Sequence, residues 1–183
     1  MNIVVTSKDE ILKTNRELIQ KQGWSAVSIR SVAAACGVSV GSIYNYFKEA
    51  LMSATVESVW CEIFHEPEDG SVFEDTLACI SWMYGRMEYG QRKYPGFFTL
   101  HSLGFLGNEK SEGRQRMQET WKHISDGLIF VLKRDSRVRP DAFTEQFPAE
   151  KFADVLFSLM LSALLRQDYD PRAVLEITRR TLY

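Results

Sequence analysis

The sequence predicts an all-α protein of about nine helices, with an N-terminal three-helix domain and a C-terminal helical bundle domain. Apolar residues recur at three- and four-residue spacing along most of the chain, and Gly, Pro or polar clusters separate these runs. Of the 183 residues, 45% are hydrophobic, which is enough for a sizeable core. We place the domain boundary after residue 48, so the predicted domains are 1–48 and 49–183.

A capping box predicts the start of the first helix. Ser7 takes the cap position and Glu10 stands three residues later, so each side chain is placed to bind the other's backbone N–H. Gly23 ends the helix. The apolar stripe of this helix consists of Ile11, Leu12, Leu18 and Ile19. Because this stripe is narrow, we expect the helix to cover the two shorter helices that follow.

Residues 28–47 predict two short helices joined by a tight turn. Ser28 caps the first helix, Gly37 closes it with a left-handed backbone, and Ser39 caps the second. The residues expected to point inward are Ile29, Val32, Ala33, Cys36, Val38, Ile43 and Phe47. Such a pair is a helix-turn-helix, and its second helix has a size that fits the major groove of DNA.

The residues left outside this core have groups that suit DNA. They are Ser28, Arg30, Ser39, Val40, Gly41, Ser42, Tyr44, Asn45 and Tyr46. Hydroxyls and helix-start amides bind phosphate oxygens. Asn45 has the groups to pair with adenine, Val40 suits a thymine methyl, and Gly41 lets the backbone approach the groove. The alternative is that Tyr44 and Tyr46 pack on the flank of the domain.

This stretch resembles the DNA-binding domain of the TetR family of bacterial transcriptional regulators. The residues GVS at 37–39 and GSIYNYF at 41–47 match the family's GVSxGxxYxYF signature. The resemblance implies that a homodimer binds a palindromic operator and that Lys48 contacts a phosphate. Family members usually have about two more residues between this motif and the next helix, so either the turn is shorter here or the sequence lacks residues at this point.

Six further helices are expected after the motif. Their predicted ranges are 49–65, 72–93, 95–103, 114–134, 149–166 and 171–182. A polar loop that contains Pro and Gly follows the first of them at 66–70, and a Gly-rich loop covers 104–113. Asp170 caps the last helix and Pro171 takes its first position. The helix at 49–65 connects the two domains.

The helix at 149–166 is apolar around nearly its whole circumference. Its polar strip is limited to Asp154, Ser158 and Ser162. A helix of this kind is buried on more than one side, either in its own bundle or against a second copy of the chain. The last two helices therefore form a predicted four-helix bundle with those of another subunit, which is also the dimer interface that the resemblance implies.

The second domain is rich in aromatic and Met side chains, which are typical of apolar ligand pockets and also of ordinary cores. The resemblance implies a small-molecule pocket among the helices at 72–93, 95–103, 114–134 and 149–166. The expected ligand-binding residues are Trp60, Phe64, Tyr84, Met87, Phe98, His101, Trp121 and Phe157. His101, His123 or Tyr84 is the expected polar anchor of an apolar or aromatic effector, in a cavity of several hundred cubic ångströms.

Charge and targeting signals agree with a regulator in the cytoplasm. The first 50 residues hold six basic and four acidic side chains, whereas the remainder holds 16 basic and 20 acidic ones, so the net charge is -2. A mildly basic first domain suits a phosphate backbone. No apolar run is long enough to span a bilayer, and the N-terminus lacks a signal-peptide pattern. The three cysteines, Cys36, Cys61 and Cys79, lack metal-type spacing and are expected to be buried thiols.

The sequence as a whole predicts a ligand-responsive transcriptional regulator, most simply a repressor released by its effector, with no metal or cofactor. Two alternatives remain open. The first is a helical protein-interaction module or a DNA-binding regulator without a small-molecule ligand. The second is an enzyme, which the sequence disfavours because His65, His101 and His123 stand outside any catalytic or metal-binding motif.

Overall fold

The computed structural model describes residues 6–47, 50–65, 71–102 and 112–183, and in these ranges the chain forms nine α-helices and no strand. The helices are α1 (Lys8–Gln22), α2 (Ile29–Cys36), α3 (Val40–Phe47), α4 (Leu51–Ile63), α5 (Thr76–Lys93), α6 (Phe97–Ser102), α7 (Glu112–Arg134), α8 (Ala149–Arg166) and α9 (Arg172–Leu182). The predicted all-α fold is confirmed. Lys48 and the predicted polar loop at 66–70 lie outside the described residues, as does most of the Gly-rich loop.

The chain divides into two compact units. The head unit comprises Met1–Ile63 and Gly90–Phe97, and the body unit comprises Phe64–Tyr89 and Phe98–Tyr183. Helix α4 belongs to the head unit because it packs along α1. The last turn of α5 also belongs to the head unit, although the rest of that helix belongs to the body unit.

Local capping chemistry sets the ends of the head helices. The Ser7 hydroxyl accepts a hydrogen bond from the Glu10 N–H at 3.1 Å, as predicted for the start of α1. A complete capping box occurs instead at α2, where Ser28 and Ser31 each bind the other's backbone N–H, at 3.1 and 2.9 Å. Gly37 closes α2 with a φ of 67°, in the left-handed region that favours glycine.

The core of the head unit is formed where α1 covers α2 and α3. Its buried apolar residues are Ile11, Val32, Ala33, Ile43, Phe47 and Leu51. A second group of rings surrounds Phe97, where Trp24 stacks on Phe97 with ring centroids 5.5 Å apart and Trp60 contacts it at 5.3 Å. The core therefore uses the inward residues that the helical spacing predicts, together with a ring from a distant segment.

In the body unit, α7 packs against α8, and the Trp121 ring meets the Phe157 ring edge-on with centroids 4.8 Å apart. Large apolar residues of α8 and α9 are exposed. They include Val155 at 43% exposure, Leu165 at 54% and Ile177 at 50%. Among the described residues, no helix is both long enough and apolar enough to cross a bilayer.

The three cysteines lie in different environments. Cys79 is buried, Cys36 is half-buried and Cys61 is exposed. The expectation of three buried thiols is therefore wrong for Cys61. Its side chain lies on the solvent side of α4, whereas the neighbouring Trp60 faces the core.

Candidate nucleic-acid interface

One face of helix α3 packs in the core of the head unit, and the opposite face is exposed to solvent. Ile43 and Phe47 are 1% and 7% exposed and anchor the helix in the head core. Val40 and Tyr44 are four residues apart and are 39% and 46% exposed. Because residues four apart lie on the same side of a helix, Val40 and Tyr44 form one surface, which continues into Gly41 and Asn45.

A pair of serines supports the start of α3. The Ser39 hydroxyl accepts a hydrogen bond from the Ser42 N–H at 3.1 Å, and the two hydroxyl oxygens are 2.9 Å apart. One hydroxyl of this pair donates to the other, which leaves the second proton available to a phosphate oxygen. The cap thus orients α3 and also offers a donor at its N-terminus, where the helix dipole favours an anion.

Tyr46 is oriented differently from Tyr44. It is half-buried against the head core, and its hydroxyl donates a 2.6 Å hydrogen bond to the backbone carbonyl of Thr6. The sequence suggested an outward position for both tyrosines, but this hydroxyl is already bound within the protein. Tyr46 therefore ties α3 to the segment that precedes α1, as in the flank-packing alternative.

The residues of α2 and α3 themselves have almost no charge. Between positions 24 and 47, the one charged residue is Arg30, which is exposed in the first turn of α2. The exposed Ser28 and Ser39 mark the two helix starts. Residues 24–47 contain no carboxylate, and their donors are hydroxyls, amides and one guanidinium, whereas Glu10 and Glu17 of α1 lie beside Ala35 and Cys36 at the other end of α2.

Comparison with known proteins shows what this arrangement resembles. The family profile of bacterial regulatory proteins, tetR family, matches residues 11–55, which include most of α1, the whole helix-turn-helix and the start of α4. The N-terminal helix-turn-helix segment thus matches the DNA-binding domain of the TetR family. The family is one of bacterial regulatory proteins, and the curated relatives of this chain are HTH-type transcriptional regulators.

A relative of known sequence matches about half of the chain, and solved structures share its fold. The HTH-type transcriptional regulator UidR of Escherichia coli (strain K12) is 28% identical over 91 residues, which cover 47% of this chain and about half of UidR, 46%. The TetR family transcriptional regulator PfmR from Thermus thermophilus superposes with a TM-score of 0.55 and 20% identity, over 96% of this chain and 93% of PfmR. The multidrug binding protein EbrR, solved with imidazole, gives a TM-score of 0.57 and 17% identity, over 94% of this chain and 88% of EbrR.

The ligand-binding residues expected from the sequence lie in several places. Trp60 belongs to the head unit, where its ring contacts Phe97. Trp121 and Phe157 form their own pair in the body unit. Tyr84, Met87 and Phe98 are all buried in the body unit. The side chain of His101 lies outside the part of the chain that the structure describes.

One cavity of the body unit lies beside Phe64. It has a volume of about 60 Å³, and its lining includes Phe73, Trp82 and Met83, which the sequence did not select as ligand residues, and also His123. Phe64 and Phe73 each meet the Trp82 ring edge-on, at 6.3 and 6.0 Å. The volume is well below the roughly 300 to 1,000 Å³ typical of ligand pockets.

A thiol also lines this cavity. Burial raises the pKa of Cys79 to about 12, and the negative charge of Asp75 contributes to the rise. The thiol is therefore neutral at physiological pH and acts as a small apolar group. With three rings, a methionine and this thiol, the lining suits an apolar or aromatic group better than an ion.

Proposed function

We propose that the protein is a homodimeric repressor that binds a palindromic DNA operator and is released by a small apolar or aromatic effector. The observation that carries this proposal is the exposed surface of α3. Val40, Gly41, Tyr44 and Asn45 form it, while Ile43 and Phe47 on the opposite side fix the helix in the core.

In this function α3 enters the major groove. Asn45 pairs with an adenine edge, Val40 contacts a thymine methyl, and Tyr44 reaches a base edge or a phosphate. Contacts to the phosphate backbone come from Ser28, Arg30, Ser39, Ser42 and Lys48. Tyr46 contributes indirectly by holding α3 through its bond to Thr6.

The exposed apolar residues of α8 and α9 support the homodimer. Val155, Leu165 and Ile177 are large apolar residues, each at least two-fifths exposed. A second copy would bury the same residues symmetrically, because a two-fold interface joins identical patches. Two heads held in this way read two half-sites about one helical turn apart, which is why the operator is expected to be palindromic.

The cavity beside Phe64 supports a response to an effector. EbrR, which has the same fold, is described as a multidrug binding protein. In the present chain the cavity of about 60 Å³ would have to enlarge for a typical ligand, for instance by movement of Trp82, whose ring contacts Phe64 and Phe73. A ligand that binds the state with the enlarged cavity better than the state with the small cavity shifts the population toward the former. The affinity for the operator then changes by as much as the ligand's affinities for the two states differ.

A second candidate is a TetR-family regulator without a small-molecule ligand. The observation that favours it is the small volume of the cavity, about 60 Å³, compared with the roughly 300 to 1,000 Å³ of typical ligand pockets. Both candidates share DNA recognition by α3. They differ in whether any small molecule releases the protein from its operator.

Selection on random DNA tests the proposal. The protein is incubated with a library of random duplexes, bound duplexes are recovered and amplified, and the enriched sequences are read. We expect an inverted repeat with half-sites about one helical turn apart. An Asn45→Ala variant selected in parallel should lose the preference for adenine at one position of each half-site. Recovery of no enriched sequence with either protein would contradict the proposed function.

A further inference from the structure

The contact between α1 and α4 contains a fully buried hydrogen bond. Asn15 on α1 and Thr55 on α4 are both 0% exposed, and the Asn15 amide Nδ2 donates to Thr55 Oγ1 at 2.6 Å. The Thr55 hydroxyl donates in turn to the backbone carbonyl of Leu51 at 2.7 Å. Among the described residues, the Asn15 side-chain carbonyl has no hydrogen-bond partner. This pair is thus a directional contact in an otherwise apolar region.

A second polar contact lies two turns further along α4. The Glu62 carboxylate accepts from the Arg16 Nε of α1 at 2.6 Å, from the Tyr94 hydroxyl at 2.8 Å and from the Lys93 ammonium. The Tyr94 hydroxyl also accepts from the Gln20 amide at 3.0 Å. All five residues belong to the head unit. Helix α1 is therefore bound to α4 at two levels.

These contacts add little stability compared with apolar packing. Replacing both members of a buried polar pair by apolar groups of the same shape is often neutral or stabilising, because the desolvation of the polar groups is avoided. Directional bonds have a different effect. They are satisfied in only one register of two helices, whereas apolar side chains tolerate small shifts. Asn15 and Thr55 are suited to fixing that register.

The register of α1 on α4 matters for α3. Helix α1 covers the core in which Ile43 and Phe47 of α3 are anchored, and the Tyr46 hydroxyl joins α3 to Thr6, just before α1. A shift of α1 along α4 would therefore carry α3 with it. In a dimer, the same shift would change the separation of the two recognition helices.

We infer that Asn15, Thr55 and Glu62 are positioning residues that set the half-site spacing which the protein accepts. They hold α1 in one register on α4 and so keep the two α3 helices at one separation. This inference rests on the proposed function, because spacing has meaning only for a dimer on a two-part operator. It assigns the selectivity for spacing to residues that do not contact DNA.

The test uses the double variant Asn15→Leu/Thr55→Val, which keeps the shapes and removes the polar groups. Competition titrations compare operators whose half-sites are moved apart or together by one base pair. We expect the wild type to bind one spacing more tightly than the others. In the double variant, the ratio of the affinities for the preferred and the altered spacing should fall about tenfold. Its urea midpoint should equal or exceed that of the wild type.

A matched control is Ile19→Val, which removes a buried methylene from the same helix. It should lower the urea midpoint and leave the spacing preference unchanged. If Ile19→Val also relaxes the preference, the effect follows from stability and the inference is overturned. If the double variant does not fold, Glu62→Gln replaces it in the same assay. A folded variant of either kind that keeps the wild-type spacing preference overturns the inference.

Failure of the inference is distinguishable from failure of the proposed function. If the wild type binds no two-part operator, the proposed function fails and the inference about spacing falls with it. If the wild type binds one spacing best and the double variant shows the same preference, only the inference fails. If the double variant is as stable as the wild type and its affinities for the different spacings become more similar, both the proposed function and the inference are supported.

Discussion

Asp135, directly after α7, is the most extensively bound carboxylate of the body unit among the described residues. Its side chain is 1% exposed and accepts hydrogen bonds from the Thr76 N–H at 2.9 Å, from Arg137 Nε at 3.2 Å and from the Tyr183 hydroxyl. Burial raises its pKa, but the hydrogen bonds from Arg137, Tyr183 and the Thr76 backbone lower it by more, so the pKa lies well below its usual range. One ionised group thus joins the start of α5, the end of α7 and the end of α9.

We predict that Asp135→Asn lowers the free energy of unfolding by about 2 kcal/mol at neutral pH. The pKa of Asp135 is lower in the folded than in the unfolded protein. The stabilisation by its ionised carboxylate is therefore fully present above about pH 4 and is lost as the pH falls through the folded pKa. The difference between wild type and variant should therefore narrow in acid. Urea unfolding at pH 7 and pH 3 measures it.

The control for this prediction is Glu150→Gln. Glu150 pairs with Lys133 on the surface, and exposed ion pairs contribute little to stability, so its free energy of unfolding should be nearly that of the wild type. A difference between wild type and Asp135→Asn that is the same at pH 7 and pH 3 would show that the charge of Asp135 is not its cause.

At the residue scale, the sequence predicted contacts that are close along the chain. Ser7, Ser28 and Gly37 act on backbone groups a few residues away, and their chemistry depends on little else. The bond from Tyr46 to Thr6 and that from Asn15 to Thr55 each span 40 positions. Such contacts depend on how helices pack, so no local pattern reveals them.

At the scale of elements, periodicity located the helices closely. The predicted ranges 49–65 and 114–134 correspond to Leu51–Ile63 and Glu112–Arg134, and the predicted 149–166 agrees with Ala149–Arg166. The sequence also indicated that α8 has more apolar surface than one neighbour covers. It did not show which residues remain uncovered, because that depends on the side from which α7 packs. Leu161 is half-buried, whereas Leu165 is 54% exposed.

We predict that Leu165→Glu disrupts the proposed dimer. A carboxylate at this position would be buried without a partner in a symmetric interface, which costs several kcal/mol. Sedimentation of the variant should show a monomer at concentrations where the wild type is a dimer. Met52→Glu, which places the same charge on an exposed residue of the head unit, is the control and should leave the dimer intact. An unaltered dimer for Leu165→Glu would count against this face.

At the scale of the whole molecule, the sequence and the structure divide the chain differently. The motif suggested a boundary after residue 48, where DNA recognition ends. The packing instead groups α4 and the last turn of α5 with the head unit, because Glu62 and Tyr94 bind α1 there. The boundary at 48 stays a prediction about function, whereas the two units describe packing.

The residues of the proposed effector site stay a prediction. Aromatic side chains serve cores and pockets alike, so composition could not separate Phe64, which lines the cavity, from Trp60, which packs in the head unit. Trp82 contacts both of the phenylalanine rings that line the cavity. Its role depends on contacts with Phe64 and Phe73 that no helical period indicates.

The most direct test of DNA recognition by α3 is a gel-shift titration of Tyr44→Ala on the selected operator. We expect the affinity to fall about tenfold, because Tyr44 is exposed on the recognition surface and makes no described contact with the core. Phe130→Ala, which removes an exposed ring from the body unit, should bind like the wild type. Helical content and dimer mass should be unchanged in both variants. Wild-type affinity of Tyr44→Ala would contradict the central claim.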